Sequence, residues 1–463
     1  MKKAVHLFSA LLTVVMLQAQ TPTLELVYNW SDPSMIPSFA FANAYNEVWG
    51  FVQDGKEYGV CGSSWGTHIF DLSDPAAIVQ VDSVEGAFTG GGVIHRDYHD
   101  YGGYLYAVCD EGAGTSTLQI IDLNHLPDSV SVVYDSHDLF TTSHNIFIDT
   151  SQARLYSFLT GLNPGFTSIA MYDLSDPELP TLISTYESGT QVHDGYVENN
   201  IGYLNDGYNG RVLIMDFSNP INPSVIGSLE SYPDRGYNHS GWLHENGETY
   251  AFADENHGFV MKVCDVSDPT DIEVVSTFNS EVDVMSIPHN LIFRGDLLFT
   301  AHYHDGLYVH DLSDPANPEY VTHYKTYQPT DHESYRGAWG VYPLLPSGLI
   351  LVSDMQYGFF VFRMPGLVST GGIDEVSFEV NNVLPNPITD YVNVQVFGNE
   401  QEDCQLMLFD LQGRLIQQQT ANLLVGQNTF NMQLDAGLAE GLYVLRLEAG
   451  NNSFSEQLIK VNR

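Results

Sequence analysis

The chain is poor in basic residues, in cysteine and in long apolar stretches. Its 463 residues contain 16 lysines and arginines against 58 aspartates and glutamates, which gives a formal net charge of −42. Such an acidic chain is repelled by a phosphate backbone, so we expect no nucleic-acid partner. Cationic partners and divalent metal ions remain compatible with this charge.

Only four cysteines are present, and none stands in a spacing typical of zinc sites. We expect buried thiols and no disulfide framework, because a chain of this length can bury a stable core without cross-links. Beyond the N-terminus no apolar run reaches the 18 or so residues of a membrane helix, so no transmembrane segment is predicted. At the N-terminus a basic pair and an apolar stretch over residues 4–17 predict a signal peptide over residues 1–19.

A repeated phrase dominates the rest of the chain. It first reads GTHIFDLSDP over residues 66–75, and its shared aspartate returns at intervals of 51, 51, 43, 49 and 46 residues. The six aspartates are Asp71, Asp122, Asp173, Asp216, Asp265 and Asp311. A seventh, degraded copy over residues 359–362 (FFVF) has lost the aspartate. A β-rich unit with this period is typical of a propeller blade.

Each unit contains four short runs rich in Val, Ile, Tyr and Phe, separated by Gly, Asn, Asp and Pro. The sequence therefore predicts an all-β protein with a seven-bladed β-propeller over residues 20–366. An extra strand over residues 24–30 is expected to complete the seventh blade and close the ring. A Gly/Ser/Thr-rich linker over residues 367–377 then leads to a small C-terminal β-sandwich, an Ig-like domain over residues 378–463.

A second column of polar residues precedes each phrase by 20 to 30 positions. Its members are Asn46, His95, His144, His193, His239, His289 and Arg336. Loops that enter the innermost strands of a propeller lie on one face, so these side chains are predicted to ring the channel mouth. Loops between second and third strands should add Asp110, Glu111, Asp206, Asp254, Glu255, His257 and Asp354 to that face. Two interpretations stay open: imidazoles that tie blade strands together, or a ligand-binding ring.

Large apolar residues follow this column three positions later, and we interpret them as packing between blades. They are Trp49, Tyr98, Phe147, Tyr196, Trp242, Ile292 and Trp339. The sixth unit departs most from the repeat, because it adds His302, His304 and Asp305 to His289. Imidazole with carboxylate suits Mn, Fe, Ni or Zn, so these four residues are the predicted divalent-metal ligands. The G-x-S-x-G match over residues 62–66 lies between two strands, so we interpret it as a turn.

The repeats resemble a known family. Residues 118–122 (LQIID) and 212–216 (VLIMD) are similar to LVIVD repeats. Residues 45–50, 55–58 and 66–75 extend the resemblance, over residues 24–366, to the choice-of-anchor B group. That group is extracellular and varies its C-terminal anchor, so the resemblance implies a fold and a location but no reaction.

The tail resembles the C-terminal sorting domain of type IX secretion. The similar segments are residues 384–387 (LPNP), 391–394 (YVNV), 409–414 (FDLQGR) and 441–446 (GLYVLR). The resemblance implies the type IX machinery as a partner and a location outside the cell or on the outer-membrane surface.

Two functions remain open from the sequence. The first is a surface-displayed propeller that binds an extracellular ligand through its loop face. The alternative is a hydrolase or lyase for extracellular polymer that uses a divalent metal ion at the His/Asp-rich mouth. Metal content of the purified protein would discriminate between them.

Overall fold

The structure is a computed structural model and describes residues 23–365 apart from 188 and 190. In the C-terminal region it describes residues 378–384, 388–398, 402–410, 414–424, 426–434, 437–449 and 452–461. The predicted signal peptide and linker lie outside these residues. The chain divides into two compact units, Met1–Leu367 and Val368–Arg463.

The first unit contains seven four-stranded antiparallel sheets and confirms the predicted propeller. Blades 1 to 3 comprise β2 (Tyr45–Gln53), β3 (Lys56–Ser63), β4 (Gly66–Asp71), β5 (Val79–Glu85); β6 (Arg96–Tyr101), β7 (Tyr104–Cys109), β8 (Leu118–Asp122), β9 (Ser131–Ser136); and β10 (Asn145–Asp149), β11 (Arg154–Leu162), β12 (Gly165–Asp173), β13 (Thr181–Tyr186). Blades 4 to 6 comprise β14 (Val192–Glu198), β15 (Ile201–Asp206), β16 (Arg211–Asp216), β17 (Ser224–Leu229); β18 (Asn238–Leu243), β19 (Thr249–Asp254), β20 (Met261–Asp265), β21 (Glu273–Phe278); and β22 (Leu291–Arg294), β23 (Leu297–His302), β24 (Gly306–Asp311), β25 (Glu319–Tyr324). Blade 7 comprises β26 (Ala338–Tyr342), β27 (Ile350–Asp354), β28 (Gly358–Arg363) and the N-terminal β1 (Glu25–Trp30).

The middle strands of each blade are buried on both faces, because each sheet packs against the blades on either side. In β16 the run Val212–Met215 is buried without alternation, whereas the outer strand β17 is largely exposed. Both patterns follow from position: a strand covered on two sides needs a continuous apolar run. Seven apolar clusters fill the spaces between neighbouring blades, and the one between blades 7 and 1 includes Phe70 and Phe359.

The N-terminal strand closes the ring, as the sequence predicts. β1 pairs antiparallel with β28, from Glu25 opposite Arg363 to Trp30 opposite Phe359. Gly358 begins β28 with a φ of +91°, and a Cβ there would stand 2.1 Å from the Trp30 carbonyl oxygen. Only glycine therefore permits this approach.

The second unit contains two sheets. One has the order β29 (Phe378–Leu384), β30 (Tyr391–Gly398), β33 (Gly426–Gln433); the other has β32 (Leu415–Leu423), β31 (Glu402–Asp410), β34 (Gly441–Ala449), β35 (Asn452–Lys460). Alternate residues such as Val392 and Val394 of the first sheet join Leu406 and Leu445 of the second in one core. Period-2 alternation across two packed sheets is what a sandwich requires.

All four cysteines are buried, as the sequence predicts. The helical content of the described residues is one 3₁₀ turn, Thr150–Gln152. No helix within the described part of the chain is long and apolar enough to cross a membrane.

Candidate functional site

Five predicted histidines meet around the channel axis. Each stands at or just before the innermost strand of its blade, and the ring centroids of neighbours are 4.1 to 4.4 Å apart along His95, His144, His193, His239 and His289. Trp339 closes the circle, with its ring 4.7 Å from His289 and 5.0 Å from His95. We call these six side chains the histidine ring.

The other two residues of the predicted polar column do not belong to this ring. Asn46 is fully buried and donates a hydrogen bond to the Ile94 carbonyl at 3.1 Å, which turns it away from the axis. Arg336 precedes β26 and is half-buried outside the ring. In blade 7 the innermost strand begins only at Ala338. Trp339 therefore occupies the ring position that the repeat spacing assigned to Arg336, three residues earlier.

Four of the five imidazoles are oriented through Nδ1. His289 Nδ1 lies 2.6 Å from the Trp339 carbonyl oxygen, and His193 Nδ1 lies 3.0 Å from the His239 carbonyl oxygen. His144 and His95 use Asp110 and Glu111 in the same way, each at 2.9 Å. Because a carbonyl oxygen can only accept, the hydrogen of His193 and of His289 is on Nδ1, and Nε2 keeps its lone pair.

Burial keeps most of the ring uncharged. It lowers the pKa of His193 and of His239 well below the usual value, and that of His289 to about 3. Burial also lowers the pKa of His95, but its hydrogen bond with Glu111 and the charge of that carboxylate outweigh this, so the net shift is upward. His193, His239 and His289 are therefore neutral imidazoles, whereas positive charge is favoured on His95, beside Glu111.

Glu255 lies against the ring. Its Oε2 is 3.7 Å from His239 Nε2, its Oε1 is 4.0 Å from His289 Nε2, and the Tyr303 hydroxyl donates to Oε1 at 2.6 Å. Burial raises the pKa of Glu255 to about 7. The sequence analysis placed Glu255 on this face from its loop position, but it did not include Tyr303. The position of Tyr303 between His302 and His304 on one hairpin could have indicated it.

Above the ring the channel opens into a cavity of about 710 Å³, which we call the mouth. His95, His144 and His193 form its floor with Trp339, and aromatic and acidic side chains form its walls. The wall residues include Phe41, Tyr208, Tyr237, Tyr335, Asp110 and Glu255. Gln191 also lines the mouth, and its Oε1 has no hydrogen-bond partner.

Below the ring lie buried carboxyl groups. Burial raises the pKa of Glu47 to about 7 and raises those of Asp97 and Asp194. Glu47 accepts hydrogen bonds from Asn290 Nδ2 at 2.6 Å and from the Val48 amide at 3.0 Å. These contacts join blade 6 to blade 1 beneath the ring.

An aromatic layer follows further along the channel, and it includes residues that the sequence predicted to pack between blades. Neighbouring centroids are 4.5 to 5.1 Å apart through Tyr342, Trp49, His99, Phe147, Tyr196 and Trp242. Two residues of the predicted column lie outside this layer. Tyr98 packs between blades 1 and 2, as predicted, and Trp339 belongs to the histidine ring. Successive side chains of a strand point to opposite faces, so when Tyr98 faces the neighbouring blade His99 faces the channel.

The four predicted metal ligands of blade 6 are divided between two places. His289 is in the ring, whereas Asp305 contacts His302 (3.6 Å from Nδ1 to Oδ2) and His332 (2.7 Å from Nε2 to Oδ1). His304 stacks on His332. The hairpin directs Tyr303 to the ring, so His302 and His304 on either side of it point elsewhere.

Within the described residues, two other groups have ligand atoms that all lie within 4.8 Å of one another. They are His95, Asp110 and His144, and His239, Glu255 and His289. Both flank the mouth. The sequence predicted metal ligands from blade 6 alone. In the structure, each metal-capable group combines residues of two neighbouring blades.

The G-x-S-x-G segment forms the hairpin turn between β3 and β4. Ser64, the serine of the motif, is 2% exposed, and its amide donates to the Ala44 carbonyl at 2.9 Å. The neighbouring Ser63 Oγ lies 2.9 Å from His68 Nε2 and accepts hydrogen bonds from the amides of Trp65 and Gly66 at 3.1 Å. This geometry agrees with the interpretation as a turn.

Comparison with solved structures finds propellers. The RRP9 WD40 repeats and U3-55K each have 8% identity and a TM-score of 0.51, covering 74% and 73% of this chain and 99% and 98% of their own. PorZ, a surface component of the type IX secretion system of Porphyromonas gingivalis, has 12% identity and a TM-score of 0.44, covering 92% of this chain and 61% of its own. At such identities the likeness shows the fold alone. No curated protein matches the chain.

Residues 382–461 match the family described as the secretion system C-terminal sorting domain. The resemblance of the repeats to LVIVD and choice-of-anchor B proteins is not carried by these matches and stays a prediction. A type IX sorting domain implies interaction with the secretion machinery. The chain is similar there to proteins exported by that route, and its location is the cell surface or the extracellular medium.

Proposed function

We propose that this protein is a surface-displayed binding propeller that holds an extracellular ligand in the mouth. The observation that carries the proposal is the wide cavity of about 710 Å³ above the histidine ring. A concave site with apolar rings and a few convergent polar groups is the usual form of a small-ligand site. Display outside the cell by the sorting tail would bring this site to external ligands.

The walls favour a neutral glycan as the ligand. Tyr208 is 79% exposed at the rim and packs edge-on against Tyr237, so aromatic faces are available to stack on sugar rings. Asp110, Glu255 and the unpartnered Gln191 Oε1 supply acceptors for hydroxyl groups. The net charge of −42 disfavours acidic glycans.

A glycan array probed with the full-length protein tests this proposal. We expect neutral glycans to bind and Tyr208→Ala to weaken binding about tenfold, which corresponds to about 1.4 kcal/mol. Tyr320→Ala is the matched control, because Tyr320 is 55% exposed on the outer strand β25. Equal binding by Tyr208→Ala and the unmodified protein, or no binding to any glycan, would contradict the proposal.

A second candidate is an extracellular hydrolase or lyase, and Glu255 is the observation that favours it. A carboxyl group whose pKa is about 7 can both accept and donate a proton at neutral pH. Incubation of bound glycans with the protein, followed by mass spectrometry, distinguishes the two functions. Shortened glycans that are absent with Glu255→Gln would establish enzymatic cleavage. Unchanged glycans would support binding without cleavage.

A further inference from the structure

We infer that His239, Glu255 and His289 bind one divalent transition-metal ion in the histidine ring, beside the mouth that Glu255 lines. The inference rests on the proposed function in placing the ion where the ligand would bind. Two imidazoles and one carboxylate form a donor set suited to Zn, Fe, Mn or Ni.

The distances between the ligand atoms fit an ion better than they fit direct bonds. His239 Nε2 and His289 Nε2 lie 3.7 and 4.0 Å from the two Glu255 oxygens, beyond hydrogen-bonding distance. A central metal with bonds of about 2.0–2.2 Å would hold its ligand atoms roughly this far apart.

The arrangement around these atoms is that of oriented metal ligands. His289 donates Nδ1–H to the Trp339 carbonyl, so the Nε2 lone pair faces the Glu255 carboxylate with no hydrogen between them. The Tyr303 hydroxyl fixes that carboxylate at 2.6 Å. Partners of this kind orient histidine and carboxylate ligands in metal sites.

The burial of this group also favours a bound cation. His239 and His289 are 4% and 2% exposed, and Glu255 lies against both of them. A carboxylate that faces the unprotonated Nε2 of His289 favours a cation or a proton between them.

The competing group is less suited to a metal. In the group of His95, Asp110 and His144, the His144 Nδ1 already lies 2.9 Å from Asp110 Oδ2, and His95 Nδ1 lies 2.9 Å from Glu111. These atoms are satisfied by one another. His239, Glu255 and His289 are the set whose facing atoms remain unbonded to each other.

The test titrates Zn²⁺ into untagged full-length protein after EDTA treatment and dialysis, using calorimetry and elemental analysis. We expect one ion per chain, with affinity at least about 100-fold lower in Glu255→Gln and in His289→Gln. His302→Gln is the matched control, since His302 is a buried blade-6 histidine outside the group, and it should bind normally. Circular dichroism checks that each variant is folded. If His289→Gln does not fold, the result for Glu255→Gln decides whether the metal site exists.

Several outcomes would overturn the inference. They are the absence of saturable binding, retention of the ion in folded Glu255→Gln, and its loss in folded His302→Gln. A glycan array with and without EDTA separates this inference from the proposed function. Glycan binding without stoichiometric Zn²⁺ would remove the metal site alone, and Zn²⁺ binding without glycan binding would remove the proposed ligand alone.

Discussion

The indole of Trp339 lies 5.0 Å from the imidazole of His95, and this contact closes the histidine ring past blade 1. Trp339 is 5% exposed, so its truncation leaves a cavity in the channel floor. We predict that Trp339→Ala lowers the free energy of unfolding by about 3–5 kcal/mol, measured by urea denaturation. Trp339→Phe keeps an aromatic side chain there and should lower the unfolding free energy much less. Equal losses in the two variants would show that the aromatic contact with His95 is unimportant for stability.

The strand β1 should matter for stability because it covers the edge of β28. Trp30 packs against Tyr45 and Phe70, with centroids 5.7 and 5.2 Å away. We predict that Trp30→Ala lowers the unfolding free energy by about 2–4 kcal/mol, and that deletion of residues 20–33 lowers it further by exposing the edge. Leu179→Ala, at a position 60% exposed, is the control. An unchanged melting temperature after the deletion would contradict a closing role.

The repeated aspartates form turns at the ends of third strands. Asp173 Oδ1 accepts the Ser175 amide at 2.6 Å, and Asp216 accepts that of Ser218 at 2.7 Å. Because Asp173 is only partly buried, we predict a loss in unfolding free energy of about 0.5–1 kcal/mol for Asp173→Ala. Hydrogen bonds from Ser175 lower the Asp173 pKa, so this contribution is lost as pH falls through the folded-state value below 3.8. Asp173→Asn should keep the turn but lose the acid dependence; loss of glycan binding without a stability change in Asp173→Ala would contradict a structural role.

Glu47 should make the propeller less stable as pH rises. Its pKa is raised by burial to about 7, above the unfolded value, so its favourable contribution is present below about pH 4.5 and is lost as pH rises through 7. We predict that, in EDTA, unfolding free energy falls by on the order of 1–3 kcal/mol between pH 5 and 8 through this group. The same decline should be smaller in Glu47→Gln. Parallel pH profiles for the two proteins would contradict the raised pKa.

The tail should be dispensable for folding of the propeller. Val368–Arg463 forms a compact unit with its own apolar core. We predict that a chain ending at Pro365 folds with a melting temperature within a few degrees of the full-length propeller transition but is not exported. Calorimetry and surface labelling measure the two effects. Aggregation of the shortened chain under conditions that keep the full chain soluble would place the boundary elsewhere.

Sequence reasoning reached the fold because the repeat is a property of neighbouring residues along the chain. The spacing of Asp71 to Asp311 and the strand over residues 24–30 required seven blades and a closing strand. The same periodicity placed His95 to His289 on one channel face. It failed at Arg336, because the inner strand of blade 7 begins only at Ala338. It also failed at Asn46, because that side chain bonds to the Ile94 carbonyl, and an interval along the chain shows neither feature.

The sequence by itself determined the blade number, the net negative charge and the column of five histidines, since each is read from composition or from a fixed interval. The sorting tail followed from the resemblance of its segments to a known domain. Only the tertiary structure decided that Trp339 completes the ring, that Tyr303 orients Glu255, and that His289 meets His239 and not His302. These contacts join residues of different blades or opposite faces of one hairpin. Their geometry depends on how the sheets pack around the axis, which no interval along the chain records.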